Sequence, residues 1–563
     1  MAMASWQKGL SVVASISALG MLLAGCGATN NTVTNGTPTT GATGTPVEGG
    51  NIMLDTNSNF KDLDPALAYD TTSNEAVNEM YDQLVTYSKD TSNIVGLLAD
   101  TYTVSPDGLT YTFKIKQGVK FWNGDPLTAQ SFIDEFQRVL SPTVGSPGEG
   151  FLDPIVQGST AYNKGTAKAI SGITAPDPNT LVIKLNKPEP FFLEVLAMPF
   201  FSAVDQSFIN TAGKKFDSSE AMGTGPFQLK SFDGNTMVLA KNPNYFLKDA
   251  SGNQLPYLNK ITITVNKNTQ VDGLHFEQGQ TAIIGNLFSG IPSDIYPHFV
   301  NTPALAKDII TAPENATYYI GLNSKMKPFD NTKVRQAMEY AIDKSKIVKL
   351  LNNRAIAANQ PLPPGIKGYV SGLDADATYT YDPAKAKQLL AAAGFANGFT
   401  TDLYSANDAD DIKIDTSIQN DLAQIGVTAK IHSMDWNSYL TLNEKGQTPM
   451  FSLAWIQDFP DASDFLNTLF NTTEQPANNS SMYSNPQVDQ WLNQAQTDTN
   501  ATERYQLYTQ ATNQIMKDAP WVPLYYTKYE YAVQSWVHGY FINQSIPNDS
   551  LQYVWIDQSH SQG

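Results

Sequence analysis

Residues 97–129 read LLADTYTVSPDGLTYTFKIKQGVKFWNGDPLTA. Between Thr110 and Lys116 polar and apolar side chains alternate strictly, which puts Tyr111, Phe113 and Ile115 on one face of a half-buried strand. Thr128 is then a candidate helix cap, and Phe132, Phe136, Val139 and Leu140 follow at helical spacing. The same two periods recur outward from this stretch. Leu181, Ile183 and Leu185 predict one further strand, and Ile261, Ile263 and Val265 another. Val334, Met338, Ala341 and Ile342 form an apolar helical face that starts near Asn331 or Thr332. Asp382 can cap a helix with Pro383 in its first position, carrying Leu389 and Leu390 and stopping at a left-handed Gly394. No repeat of 20–50 residues is present, so the body is mixed α/β.

The chain has 563 residues, a formal charge of −18 and one cysteine. A single thiol excludes an internal disulfide and any structural site built on several thiolates. The acidic balance argues against nucleic acid, whose phosphates leave a basic footprint on their partners. Charged residues make up 16% of the chain, below the usual ~25%. The length allows three to four domains or lobes.

Lys8 and the apolar run Leu10 to Leu23 suit a secretory leader, being too short to span a bilayer. The run ends in Leu23-Ala24-Gly25-Cys26, which resembles the lipobox of bacterial lipoproteins, with the lone Cys26 as the lipidated residue and residues 1–25 as the signal peptide. A plain secretory signal is the alternative. From Gly27 to Gly50, Thr, Gly, Asn and Pro dominate, so residues 26–50 are expected to form a flexible, lipidated tether. No later apolar run is long enough to cross a membrane.

Catalytic signatures are missing. There is no GxxxxGK[ST] phosphate cradle and no GxSxG elbow. Gly223-Thr224-Gly225-Pro226 opens like a dinucleotide loop but lacks the third glycine, and reads as a turn. His275, His298, His432, His538 and His560 are scattered without metal-ligand spacing. Asp408, Asp410 and Asp411 form an acidic knot without the glycine and distal glutamate of a calcium loop, and are expected to be a solvated loop. The reading is of a protein that is not an enzyme, with no metal and no cofactor.

Several blocks point to one family in the same order. They are Leu97-Leu98-Ala99-Asp100, Gly118-Val119-Lys120-Phe121-Trp122-Asn123-Gly124-Asp125, Gly223-Thr224-Gly225-Pro226-Phe227, Val334-Arg335-Gln336-Ala337 and Asp382-Pro383 to Ala393-Gly394-Phe395. Together they resemble the family 5 extracellular solute-binding proteins, the oligopeptide- and dipeptide-binding components of ABC importers. The resemblance covers residues 51–560. It implies a bilobal clamshell of the type II periplasmic-binding-protein kind with an additional inserted domain. Lobe I is expected at 51–84, 203–316 and 528–563, the additional domain at 85–202, and lobe II at 317–527. Two crossings between the lobes form the hinge, and ligand closes them by binding the shut state better.

The resemblance also implies a site. Trp436 lies 19 residues before Trp455, and Asp458 follows three residues later, matching the aspartate that meets a peptide α-ammonium. Such a carboxylate accepts a charge-assisted hydrogen bond that strengthens as water leaves. The alternative for Asp458 is a turn cap before Pro460, and for both tryptophans a place in the core. Asp461 and Asp464 are expected to cap the helix around Phe465. Tyr69 and Thr71 match an extended segment alongside the ligand, Thr224 a turn facing the cleft, Ala454 and Ile456 the flanks of Trp455, and Tyr525 and Thr527 the last crossing. Backbone pairing with such segments would tolerate many peptide sequences. Where some relatives carry arginines that meet the peptide carboxylate, this chain has Asn443 and Ser452, and Lys445 is the only base between the tryptophans.

The function implied is a monomeric receptor, lipid-anchored through Cys26 on the extracellular face of the cell membrane. It captures peptides and delivers them to the permease and ATPase subunits of an ABC importer. The alternative keeps the fold and changes the ligand to oligosaccharide, nickel chelate or haem.

Overall fold

The computed structural model describes residues 44–89, 92–285, 290–543 and 551–562; the leader, Cys26 and the tether up to residue 43 lie outside them. The tether was expected to run to Gly50, but its end already belongs to the body. The Gly49 amide donates to the Tyr257 carbonyl (2.8 Å) and the Asn259 amide to the Gly50 carbonyl (2.8 Å). Among the described residues no helix is long and apolar enough to cross a membrane.

The opening stretch folds as its periodicity predicts. Thr110–Ile115 is a strand with Tyr111, Phe113 and Ile115 buried. It lies inside an antiparallel sheet of order Ala99–Val104, Thr110–Ile115, Thr180–Lys184, Ile173–Asp177. The helix Ala129–Val139 starts at Thr128 with a reciprocal cap from Ser131, and Phe132, Phe136, Val139 and Leu140 are buried. This core draws on residues from Leu84 to Ala203, and Ala66 and Phe459 are its two buried contributors from elsewhere.

A second sheet has the order Asn51–Thr56, Lys260–Val265, Thr236–Lys241, Phe227–Phe232. Its first pair is parallel, and the alternating Ile261, Ile263 and Val265 point into a separate core. The turn Gly223-Thr224-Gly225 packs directly on the end of the helix Thr71–Met80. A Cβ on Gly223 would come within 2.0 Å of the Met80 carbonyl oxygen, and one on Gly225 within 2.4 Å of the Met80 carbonyl carbon. Close backbone approach accounts for both glycines.

The largest sheet is organised by Trp521–Val533. The first half of this strand pairs with Ala316–Leu322 and the second half with Ile309–Pro313 and Ile283–Ile284. Beyond Ala316–Leu322 come Met450–Ile456, Phe399–Ala406 and Val427–Met434, the last two parallel to each other. The period-2 pattern divides the strand residues between two cores. Ile320, Met450, Val522 and Leu524 pack with the helices Thr332–Ala341, Pro383–Ala392 and Ala409–Gln424. Tyr319, Phe451 and Trp521 pack with the helices Ala462–Phe470, Pro486–Thr497 and Ala501–Asp518. Helices therefore cover both faces. Asn331 and Asp382 cap their helices as expected, and Gly394 takes a φ of +90° just past the second.

Candidate functional site

The strand Met450–Ile456 leaves the large sheet at Gln457, whose amide donates to the Asn315 carbonyl (3.0 Å). The next residues turn sharply into the helix Ala462–Phe470. Phe459 fixes the turn by inserting into the core built on residues 84–203. Its ring stacks on Phe191 (5.2 Å, 14°) and meets Phe151 edge-on (6.2 Å, 84°). Asp461 caps the helix through the Ser463 amide (2.8 Å) and accepts from both guanidinium nitrogens of Arg504, one at 2.7 Å. Burial pushes the Asp461 carboxyl up, and the Arg504 charge outweighs it and holds the group below the ordinary range. Asp458 is thus carried on a turn braced at both sides.

Asp464 does not cap the helix. It sits in the first helical turn and reaches back to accept from the Trp455 indole N–H (3.2 Å) and the Asp458 amide (3.0 Å). One buried carboxylate therefore sets the positions of both the tryptophan and the aspartate. The Asp458 carboxyl accepts from the Tyr69 hydroxyl (2.9 Å). Asp458 is half-buried and lines a cavity. Burial raises its pKa to about 7, with the Tyr69 bond acting against the rise. Burial and then the Asp458 charge push Asp464 well above the carboxylate range.

The cavity has a volume of about 750 Å³, within the size range of small-ligand sites. Of the residues singled out from sequence, Tyr69, Thr71, Trp436, Ser452, Ala454, Trp455, Ile456, Asp458 and Tyr525 line it. Trp436 opens the helix Trp436–Asn443 and is 52% exposed, so it is no core tryptophan. Thr71 begins the helix Thr71–Met80; the expected extended segment ends at its cap, Asp70. Tyr525 stacks on Tyr318 (4.5 Å, 13°). Thr527 lines an adjoining chamber of about 460 Å³, which shares Thr71, Tyr318, Asp411, Ile456 and Tyr525 with the main cavity.

Two of the expected residues lie outside both chambers. Thr224 is buried and donates to Asp82 (2.7 Å), which also receives the Tyr245 hydroxyl (3.1 Å). Burial raises Asp82 to about 6, and both hydroxyls work to keep it charged, so Thr224 serves an internal carboxylate. Asn443 is buried at the end of its helix and accepts from the Thr448 hydroxyl (2.7 Å). The acidic knot is a helix start and not the expected loop. Asp408 caps the helix Ala409–Gln424, accepting from the Asp410 amide (2.8 Å), and Asp411 in the first turn lines both chambers. Sequence reasoning missed Glu194, Tyr318 and Asp411 as lining residues. Only Asp411 left a local signal, since acidic residues ahead of Ile414, Ile418 and Leu422 at helical spacing mark a helix start.

The lining is acidic. Asp62, Asp70, Glu194, Asp411 and Asp458 face the main cavity, and Lys61 is the one base among its described lining residues. Glu194 is raised to about 7 by burial and then by the Asp461 charge. Such a chamber favours cations.

The family model for bacterial extracellular solute-binding proteins, family 5 Middle, matches residues 93–477. The chain belongs to this family. The glutathione-binding protein GsiB of Salmonella typhimurium (strain LT2) is 32% identical over 507 residues, covering 87% of this chain and 92% of that protein. Its counterpart from Escherichia coli O6:K15:H31 is 30% identical over 508 residues, with the same coverage. The periplasmic binding protein DppA from Helicobacter pylori, solved in complex with the peptide STSA, superposes with a TM-score of 0.75 at 27% identity, covering 91% of this chain and 98% of that one. A clavulanic acid biosynthesis oligopeptide binding protein 2 superposes with a TM-score of 0.82 at 20% identity, covering 93% and 99%, a likeness of fold alone. As a family 5 solute-binding protein, the chain has the bilobal type II clamshell with an additional inserted domain.

Proposed function

We propose that this family 5 protein is the peptide-capturing component of an ABC importer. In this reading it is tethered through a lipid on Cys26 at the extracellular face of the membrane and passes its ligand to a permease driven by ATPase subunits. It binds and releases without bond chemistry. Lobe I comprises 51–84, 203–316 and 528–563, lobe II comprises 317–527, and 85–202 is the added domain. Three apolar cores drawn largely from those segments support the division. So do the two strand continuations at Glu314 and Thr527, where the Glu314 amide donates to the Thr527 carbonyl (3.1 Å).

The observation that carries this reading is Asp458, a carboxylate braced from behind by Asp464 and Phe459 and open to the cavity. A peptide α-ammonium supplies the missing positive charge and fixes which end of the ligand enters there. Trp436, Trp455, Tyr69 and the Tyr318–Tyr525 stack offer apolar faces to side chains of many shapes. Glutathione, the ligand named for the GsiB relatives, carries two carboxylates to one ammonium and fits poorly against five acidic lining residues and one lysine. Oligosaccharide would use the aromatic faces but leave Asp458 without a counter-charge.

Native mass spectrometry of freshly purified protein tests the assignment. A ladder of masses that fragments into amino-acid residues is expected. A single mass of glutathione, or a hexose series, would replace peptide as the ligand.

A further inference from the structure

Asp411 stands apart from the other carboxylates at the start of the helix Ala409–Gln424, the cap Asp408 and the first-turn Asp410. Asp408 is occupied by the Asp410 amide. Asp410 receives the Ser293 hydroxyl (2.9 Å) and the Lys413 ammonium (2.7 Å). The Asp411 carboxylate has no such partner among the described residues, although it lines both chambers. One turn further along, Asp415 is fully buried and neither carboxylate oxygen has a hydrogen-bond partner in good geometry; it lies behind the cavity wall toward Ser405 and Ser452. Burial first, then the charges of Asp408, Asp415 and Asp410, push Asp411 to about 7. Two bases of the adjoining chamber are engaged elsewhere: Lys413 by Asp410 and Arg354 by Glu530 (3.3 Å).

The Tyr318–Tyr525 stack forms part of the same wall, and Asp411, Tyr318 and Tyr525 line both chambers together. A carboxylate next to aromatic faces is the setting in which a guanidinium or ammonium is held by ion pairing and cation–π attraction together. Tyr318 is in register with Ala454, two residues before the strand ends at Ile456, and Asp458 lies two residues further on in the turn, so at about 3.3 Å per residue the span between them is at most roughly 13 Å. An extended peptide anchored at Asp458 would carry its third to fifth side chains past Asp411.

We propose that Asp411 is a second cation subsite, receiving a lysine or arginine side chain of the bound peptide, so that the receptor selects basic peptides. This rests on the peptide reading given above.

Isothermal calorimetry on the full chain tests it with pentapeptides that have free amino termini and differ only by arginine or glutamine at the third, fourth or fifth position. At one of those positions the arginine peptide is expected to bind at least tenfold tighter. Asp411→Asn should bring the pair within about twofold of each other, and Asp411→Glu should restore part of the difference. Arginine and glutamine peptides within twofold of each other at every position in the unmodified protein would overturn the subsite and leave the peptide reading intact. So would an equal loss for both peptides in Asp411→Asn. Failure of every free-amine peptide to bind would remove the peptide reading and the subsite with it.

Discussion

Asp458 and Asp464 are six residues apart in sequence, and the second holds the backbone of the first (3.0 Å). Two carboxylates so close in a poorly solvated place cannot both be charged cheaply, and an incoming ammonium relieves both. The pH dependence follows in sign. In the empty cavity burial raises Asp458 well above the ordinary carboxylate range, so attraction for an amine is lost as pH falls through the raised value. A peptide α-amine loses its proton above about pH 8, so affinity should trace a bell centred between the two. For folding the sign is opposite. A carboxyl raised in the native state binds protons there that the unfolded chain has released, so the empty protein should lose stability as pH rises from about 4 to 7. Thermal melts of the empty protein, with and without Asp458→Asn, check this: the variant should flatten the slope in that window.

At the scale of elements, the turn between Met450–Ile456 and Ala462–Phe470 couples the site to a core in another part of the chain. Phe459→Ala would remove a 5% exposed ring that stacks on Phe191 and meets Phe151 edge-on. It should destabilise by about 3–5 kcal/mol and weaken peptide binding as well, since Asp458 is the adjacent residue. Denaturant melts and calorimetry on the same sample would separate the two effects. Local periods revealed much of the architecture here. The strands at Tyr111, Ile183 and Ile263 and the helices at Thr128, Asn331 and Asp382 were legible because each needs only its own few residues. The strand Trp521–Val533 was not. It is buried on both faces along nearly its whole length, so it has no alternation to read. It also contains Pro523, which sits where the pairing with Ala316–Leu322 shifts register. Asp464, Glu194 and Thr224 were misread or missed for a related reason: their partners are set by packing between elements, which spacing along the chain does not encode.

At the scale of the molecule, Trp521–Val533 and the segment from Ile309 to Leu322 both run continuously from one body of the sheet to the other, meeting at Glu314 and Thr527. Two such crossings allow rotation without large rearrangement of either core, so peptide should lower the radius of gyration measured by small-angle scattering. Cys26→Ser should shift the protein from the membrane fraction into the medium, read by fractionation and immunoblot. The decisive charge is that of Asp458. Calorimetry of Asp458→Ala with a peptide and its N-acetylated twin tests it directly. The free-amine peptide should lose about 10- to 100-fold in affinity, the worth of a charge-assisted hydrogen bond of about 1.5–3 kcal/mol, while the acetylated peptide changes little. Equal losses for the two peptides would contradict the role given to Asp458.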